Sequence, residues 1–246
     1  MNSDQHLAVL IDGDNIPSKY VKELIEEIAK YGNPTLKRIY GDWTKPRLSK
    51  WKKVLLENAI TPVQQYSYTI GKNATDSAMI IDAMDILYSK KVDGFCLVSS
   101  DSDFTRLAIR LREAGMIVYG IGEKKTPDPF IVACDRFIYL EVLKQATETD
   151  TTKTVKAKVS KAKIDNITPS VINLIRTTIS DLEDDEGWAF LGEVGALLQK
   201  KQPNFDPRNF GFQKLTPLIK SINKIEIEPR KSTKSNKKLI YVRLLA

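Results

Sequence analysis

The stretch Leu7-Ala-Val-Leu-Ile-Asp12-Gly-Asp14-Asn15 decides the fold of the amino-terminal part of the chain. Five apolar residues run without interruption into two carboxylates and an amide. A short apolar run bounded by polar residues is typical of a strand that is buried on both faces of a parallel sheet. Open α/β sheets bind ligands at the carboxyl ends of their strands, so Asp12 and Asp14 are expected to face a binding crevice.

A second stretch repeats this arrangement, with the sequence Gly94-Phe-Cys-Leu-Val-Ser-Ser-Asp101-Ser-Asp103-Phe104. A single aspartate after a strand is commonly the N-cap of a helix. If the two strands are neighbours, however, four carboxylates converge on one place. Such crowding is unfavourable unless a divalent cation lies among them. Two copies of Asp-x-Asp therefore favour a metal site over two separate caps.

Length and composition indicate a globular protein with one large or two small domains. The chain has 246 residues, of which 42% are hydrophobic and 28% are charged. Its apolar runs are shorter than a membrane span, and the first residues lack the pattern of a signal peptide. The two cysteines, Cys96 and Cys134, lie on apolar patterns and are expected to be buried. We therefore expect a cytoplasmic protein that makes no membrane contact.

The basic charge is concentrated in the last third of the chain. Residues 1–150 hold 20 basic and 21 acidic side chains, whereas residues 151–246 hold 18 basic and 10 acidic side chains. The net charge of the whole chain is +7. A basic surplus of this kind favours a polyanionic partner such as RNA. A solvated lysine-rich surface is the alternative interpretation.

Strands and helices are predicted to alternate through residues 1–150. After the first strand, helices are expected to begin at Pro17, Pro46, Asp76, Phe104 and Pro129, and strands are expected at Leu36–Tyr40, Thr61–Val63, Phe95–Val98, Ile117–Ile121 and Phe137–Leu140. Right-handed βαβ units then build an α/β domain with a parallel sheet in a three-layer arrangement.

Residues 151–246 differ in character from the first part. Residues 151–167 contain five lysines and no acidic residue before Asp165, which predicts a solvated linker. Residues 168–246 show three amphipathic helices followed by two alternating strands, which predicts a smaller α+β domain of the winged-helix type. The tip of the hairpin is strongly basic and is predicted to bind RNA through Arg230, Lys231, Lys234, Lys237 and Lys238.

Residues 7–141 resemble an NYN domain of the PIN-like nuclease superfamily. The resemblance is carried by four ordered motifs, Ile11-Asp12-Gly13-Asp14-Asn15, Lys72-Asn-Ala-Thr-Asp76, Ile81-Asp82-Ala-Met and Val98-Ser-Ser-Asp101-Ser-Asp103-Phe104. It implies a sheet of order 3-2-1-4-5 in which the first and fourth strands are neighbours. It also implies a metal-dependent ribonuclease whose carboxylates hold Mg²⁺ or Mn²⁺.

Residues 168–246 resemble a LOTUS (OST-HTH) winged-helix domain. The matching pieces are Gly187-Trp-Ala-Phe-Leu191-Gly-Glu-Val194-Gly and Asn204-Phe-Asp206-Pro-Arg208-Asn-Phe210-Gly-Phe212, followed by Lys214-Leu215. The resemblance implies RNA binding and, in some members, a protein partner. Together the two resemblances imply a protein of RNA processing or turnover.

The nuclease resemblance assigns roles to individual residues. Asp12, Asp101 and Asp103 are expected to contact a catalytic metal directly or through water, and Asp76 to reach the same cleft. Asp82 lies six residues after Asp76, a rotation of about 240° on a regular helix, so it is expected to support a neighbouring group instead. The other supporting residues are Asp14 as a helix cap, Asn15 towards metal-bound water or phosphate, and Ser99. The pair Ser99-Ser100 stands where many relatives carry a glycine before the aspartate. Independently of the resemblance, Lys45 and Arg47 at the basic helix after Pro46 are candidates for an RNA phosphate path, and a solvated helix surface is the alternative interpretation.

Three functions remain open on these observations. The first is a metal-dependent ribonuclease, and the second is an RNA-binding adaptor whose nuclease fold is inactive. The third is a phosphatase of the haloacid dehalogenase type, which also begins with Asp-x-Asp, but its downstream lysine and acidic motif are not convincingly present. His6 is the only histidine, which disfavours a paired-histidine ribonuclease and a zinc site with nitrogen ligands.

Overall fold

The computed structural model describes residues 5–66, 74–147, 165–231 and 238–245. The chain divides into two compact units, residues 1–157 and residues 158–246. Among the described helices, none is long and apolar enough to cross a membrane.

The first unit is built on six parallel strands in the order β3-β2-β1-β4-β5-β6. The strands are β1 (His6–Asp12), β2 (Asn33–Gly41), β3 (Thr61–Gln64), β4 (Gly94–Val98), β5 (Ile117–Gly122) and β6 (Arg136–Tyr139). The predicted α/β fold is confirmed, including the central pairing in which Ile11 of β1 is in register with Val98 of β4. The sequence of β6 was expected to form a strand, and the structure places it beside β5 at the edge of the sheet.

Helices cover both faces of this sheet. They are α1 (Val21–Ile28), α2 (Trp51–Glu57), α3 (Ala74–Ser89), α4 (Thr105–Glu113), α5 (Asp128–Ala133) and α6 (Leu140–Thr147). Leu7, Val9 and Ile11 pack in one core cluster with residues of α1, α2 and α6. Ala8 and Leu10 point the other way and pack in a second cluster with residues of α3, α4 and α5. Alternating side chains of one apolar strand thus supply both cores, which is why β1 needs no polar face.

The loops after β1 and β4 continue as 3₁₀ turns before the helices begin. Ser18–Tyr20 forms such a turn after Pro17, and α1 itself begins at Val21 without any side-chain cap. The prediction that Asp14 caps the first helix is therefore wrong. Asp101, by contrast, accepts a hydrogen bond from the backbone N–H of Asp103 at 3.0 Å and caps the 3₁₀ turn Ser102–Phe104.

In the second unit, the described residues form three helices and a three-stranded antiparallel sheet of order β7-β9-β8. Its elements are α7 (Pro169–Ser180), β7 (Trp188–Phe190), α8 (Leu191–Lys201), α9 (Leu215–Lys220), β8 (Ile225–Lys231) and β9 (Lys238–Leu244). This arrangement agrees with the predicted winged helix. Most of the predicted linker, residues 151–164, lies outside the described residues. At its end, the backbone N–H of Asp165 donates to the carbonyl of Asn209 at 2.9 Å.

Candidate functional site

Asp12 ends β1 with a carboxylate that is almost completely buried, at 1% exposure. One carboxylate oxygen, Oδ1, accepts hydrogen bonds from the backbone N–H groups of Asp14 and Asn15, at 3.1 and 3.2 Å. The other, Oδ2, accepts from Asn15 Nδ2 at 3.0 Å and from Ser99 Oγ at 2.8 Å. Burial raises the pKa of Asp12 above its usual value, and these hydrogen bonds oppose that rise. Asn15, which was expected to face water or phosphate, is thus engaged with Asp12.

Ser99 connects the ends of the two central strands. Its side chain is fully buried, donates to Asp12, and accepts a hydrogen bond from the backbone N–H of Asp101 at 3.1 Å. A glycine at this position would offer no hydroxyl for either contact. Ser99 therefore has a defined structural role in this chain.

Three carboxylates lie together beyond the ends of the strands. One ligand oxygen from each of Asp76, Asp101 and Asp103 lies within 4.8 Å of the other two. Asp76 comes from the first turn of α3, and the other two come from the loop after β4. Within the part of the chain that the structure describes, Asp12 is not a member of this close group. We refer to Asp76, Asp101 and Asp103 as the acidic cluster.

The acidic cluster carries a concentrated negative charge. The pKa of Asp76 is raised to about 6, first by burial and then by the negative charges of Asp12, Asp101, Asp103 and Asp14. Each neighbouring carboxylate makes ionisation of Asp76 less favourable. Asp12 therefore acts on the cluster electrostatically, although its own oxygens are engaged elsewhere.

Asp14 lies between the acidic cluster and a basic side chain. Its Oδ1 lies 2.6 Å from Nη2 of Arg47, and its Oδ2 accepts a hydrogen bond from the Thr75 hydroxyl at 3.2 Å. Thr75 lies inside α3, and its hydroxyl points to Asp14. Sequence reasoning missed this contact because a hydroxyl beside a helix start is usually explained by local capping.

The family follows from comparison with known proteins. A model of the NYN domain matches residues 6–141, which is more than half of the chain. The chain belongs to the NYN domain family. A model of the OST-HTH/LOTUS domain matches residues 163–236. Both resemblances seen in the sequence are thus confirmed.

Solved structures and curated proteins add little to this assignment. A structure of a protein of unknown function from Vibrio parahaemolyticus RIMD 2210633 is 19% identical, covering 56% of this chain and 93% of that chain with a TM-score of 0.46. A structure from Nitrosomonas europaea is 28% identical, covering 39% of this chain and 90% of that chain with a TM-score of 0.31. A structure of part of a protein from Chromobacterium violaceum is 27% identical, covering 33% of this chain and 87% of that chain with a TM-score of 0.27. The search of curated proteins gave no match.

The two domains suggest an RNA-related nuclease or binding function. NYN domains belong to the PIN-like nucleases, which generally use divalent metals, and LOTUS domains bind RNA. The acidic cluster lies in the NYN domain, at the carboxyl ends of strands where α/β sheets bind their ligands.

Asp82 lies on α3 of the NYN domain but outside the acidic cluster. Its carboxylate accepts hydrogen bonds from Arg38 Nη1 and from the Tyr40 hydroxyl, both on β2. Burial and the hydrogen bond to Asp82 raise the pKa of Tyr40. Asp82 thus links α3 to β2 of the sheet.

The predicted RNA-binding residues have varied surroundings. In the NYN domain, Lys45 Nζ lies 3.7 Å from Asp42 Oδ2, and Arg47 is paired with Asp14. In the LOTUS domain, the Lys231 and Lys238 backbones face each other where β8 and β9 meet the hairpin tip. Lys234 and Lys237 lie outside the described residues.

Arg230 was predicted at the hairpin tip, but the structure places it within β8. Its guanidinium carbon lies 4.8 Å from the ring centre of Trp188 and 4.6 Å from that of Tyr241. Its Nη2 also lies 3.0 Å from Glu228 Oε2. Arg230 is thus packed against two rings and one carboxylate.

Proposed function

We propose that this protein is a metal-dependent ribonuclease that hydrolyses phosphodiester bonds in RNA processing or turnover. The NYN domain carries the reaction, and the LOTUS domain holds RNA. One observation carries the proposal, namely that Asp76, Asp101 and Asp103 each offer a carboxylate oxygen within 4.8 Å of the other two.

The residues of the acidic cluster fit a hard divalent cation. Magnesium and manganese prefer carboxylate and water oxygens, and the cluster offers three carboxylates from two separate segments of chain. Burial and then the charges of the neighbouring carboxylates raise the pKa of Asp76, and a bound cation would offset that repulsion. Asp76, Asp101 and Asp103 would hold Mg²⁺ or Mn²⁺, and Asp12 would add its charge either through space or through water.

A bound divalent ion would supply an activated water and would neutralise charge that develops on the phosphodiester. The protein's own groups fix the positions of the carboxylates that this chemistry requires. Ser99 fixes the Asp12 carboxylate and the backbone of Asp101 by two hydrogen bonds. Asp101 in turn accepts from the backbone N–H of Asp103, so the two acids of the β4 loop keep a fixed spacing.

One observation favours the alternative, a catalytically inactive RNA-binding adaptor. Both carboxylate oxygens of Asp12 already accept hydrogen bonds, so the residue expected to be central is held by protein groups. Such an adaptor would still bind RNA but would gain no stability from divalent metal.

A cleavage assay combined with thermal unfolding distinguishes the two functions. Wild type and Asp101→Asn are incubated with mixed single-stranded and structured RNAs in Mg²⁺, in Mn²⁺ or in EDTA. We expect metal-dependent cleavage by wild type and a loss of roughly a hundredfold or more in Asp101→Asn, because a central electrostatic group is removed. Metal should raise the Tm of wild type and should raise that of Asp101→Asn much less.

Asp85→Asn is the matched control, since Asp85 is exposed on the same helix as Asp76 and lies outside the acidic cluster. It removes the same charge and should keep both cleavage and metal stabilisation. A wild type that shows neither cleavage nor metal stabilisation would establish the adaptor. Loss of fold in Asp101→Asn would show that Asp101 serves only as the cap of its 3₁₀ turn.

A further inference from the structure

A cavity of about 400 Å³ opens in the NYN domain, and Asp14 is among its lining residues. It is formed by the loop after β1 and by the segment that leads into α2. Its volume falls within the range of roughly 300–1000 Å³ that is usual for small-ligand sites. Ile16, Leu48 and Trp51, which belong to the protein core, supply an apolar wall.

The other lining groups are mainly basic. Lys19, Arg47 and Lys50 line the cavity, and Asp14 is the acidic side chain among its lining residues. The lysines and Arg47 are all exposed to solvent. A cavity with an apolar wall and a basic rim suits a ligand with a flat apolar part and a negative charge, as in a nucleotide.

The basic side chains of Lys19, Arg47 and Lys50 are the groups that would contact the negative charge of a ligand. The backbone N–H groups of Gly13 and Ile16 already donate to the carbonyls of Tyr40 and Asp12. Those of Asp14 and Asn15 donate to the Asp12 carboxylate. The loop after β1 therefore has no free amide at these four positions, and Lys19, Arg47 and Lys50 are the positively charged groups that line the cavity.

Asp14 connects the cavity to the acidic cluster. Its Oδ1 pairs with Arg47 on the cavity side, and its Oδ2 accepts from Thr75, the residue before Asp76. The cavity and the acidic cluster are therefore connected through Asp14 and its hydrogen bond to Thr75.

We propose that this cavity binds the nucleotide adjacent to the scissile phosphodiester of single-stranded RNA. Its base and ribose lie against the apolar wall, and its phosphate contacts Arg47, Lys50 and Lys19. Only Nη2 of Arg47 is needed for the ion pair with Asp14, and half of the side chain is exposed, so further N–H groups can reach a phosphate. A duplex cannot place a single nucleotide in such a cavity without unpairing it, so the site selects unpaired RNA. This inference rests on the proposed ribonuclease function.

Photo-crosslinking on the full chain tests the site. The probe is a uridine octamer in which one position carries 4-thiouridine, and adducts are mapped by mass spectrometry in Mg²⁺ and in EDTA. We expect adducts in residues 13–19 or 46–51. The double variant Lys19→Ala/Lys50→Ala should reduce their yield about fivefold at subsaturating RNA, since two phosphate contacts are lost.

Lys52→Ala is the control, because Lys52 is exposed on α2 but does not line the cavity. It should leave the adducts unchanged. Adducts confined to the LOTUS domain, or an equal effect of Lys52→Ala, would overturn the inference even if the protein cleaves RNA. Adducts in the cavity of a protein without cleavage would support the nucleotide site and would refute the nuclease function.

Discussion

The hydroxyl of Ser99 lies 2.8 Å from a carboxylate oxygen of Asp12, although 87 residues separate the two in the chain. The contact exists because β1 and β4 are neighbours and end at the same edge of the sheet. The same hydroxyl accepts from the backbone N–H of Asp101. One buried serine therefore sets the position of the first acidic motif relative to the second.

We predict that Ser99→Ala weakens divalent metal binding by roughly tenfold. This is the lower end of the loss of metal affinity that follows removal of a group that orients metal ligands. Calorimetric titration with Mn²⁺ measures this directly. Ser100→Ala is the matched control, since Ser100 Oγ accepts from the backbone N–H of Glu123 at 2.8 Å and is also buried. Both variants lose a buried hydrogen bond, but only the first loses its contact with Asp12. Equal metal affinity in the two variants would contradict the role given to Ser99.

The Asp76 carboxyl predicts a pH dependence of stability in the metal-free protein. Its pKa in the fold is about 6, above the ordinary 3.8, so the folded state binds its proton more tightly than the unfolded state does. The protonation of Asp76 therefore adds to the free energy of unfolding in full below about pH 4, and this contribution is lost as the pH rises through 6. Asp76→Asn cannot ionise, so in EDTA its Tm should exceed that of wild type at pH 7 by a few degrees.

That difference should shrink as the pH is lowered towards 4, where wild-type Asp76 is protonated too. Differential scanning calorimetry at both pH values measures it, and Asp85→Asn should leave the Tm at pH 7 unchanged. If Asp76→Asn were less stable than wild type at pH 7, the crowding of carboxylates would not be the dominant effect at this position.

The sequence predicts the sheet well because its signals are local and strong. The apolar runs of β1 and β4 end in Asp-x-Asp, and such runs have few alternatives to a buried parallel strand. The family resemblance then implied that β1 and β4 are adjacent, as observed. The motifs named Asp76, Asp101 and Asp103, which lie together, but they also named Asp12, which lies outside the acidic cluster.

The detailed contacts of the site could not be predicted, because they depend on side-chain direction after the strands end. Asn15 and Ser99 both turn inwards to the buried carboxylate of Asp12. Asp14 pairs with Arg47, which lies in a 3₁₀ turn whose position no periodic pattern fixes. For Asp82, helical rotation excluded the cluster but did not identify Arg38 and Tyr40 as its partners.

In the LOTUS domain, Arg230 and the lysines of the hairpin are predicted to contribute differently to RNA binding. Arg230 packs on Trp188 and Tyr241 and pairs with Glu228, so its charge is largely committed within the domain. Lys238 is exposed at the start of β9. Replacing Lys231, Lys234, Lys237 and Lys238 by Glu should lower RNA affinity and flatten the log–log salt dependence by about 3, since each of the four phosphate contacts on a single strand contributes roughly 0.7.

Arg230→Gln, the comparison variant, should instead destabilise the LOTUS domain by about 1 kcal/mol, a usual loss for a cation–π contact that is partly exposed. Its salt dependence should remain close to that of wild type. Fluorescence anisotropy with a labelled single-stranded RNA at several salt concentrations, together with urea unfolding, measures both quantities. A flattened slope in Arg230→Gln would mean that the stacked guanidinium itself contacts phosphate. Unchanged RNA affinity in the lysine variant would move the RNA contact to Lys45 and Arg47 of the NYN domain, and would leave the hairpin to a protein partner.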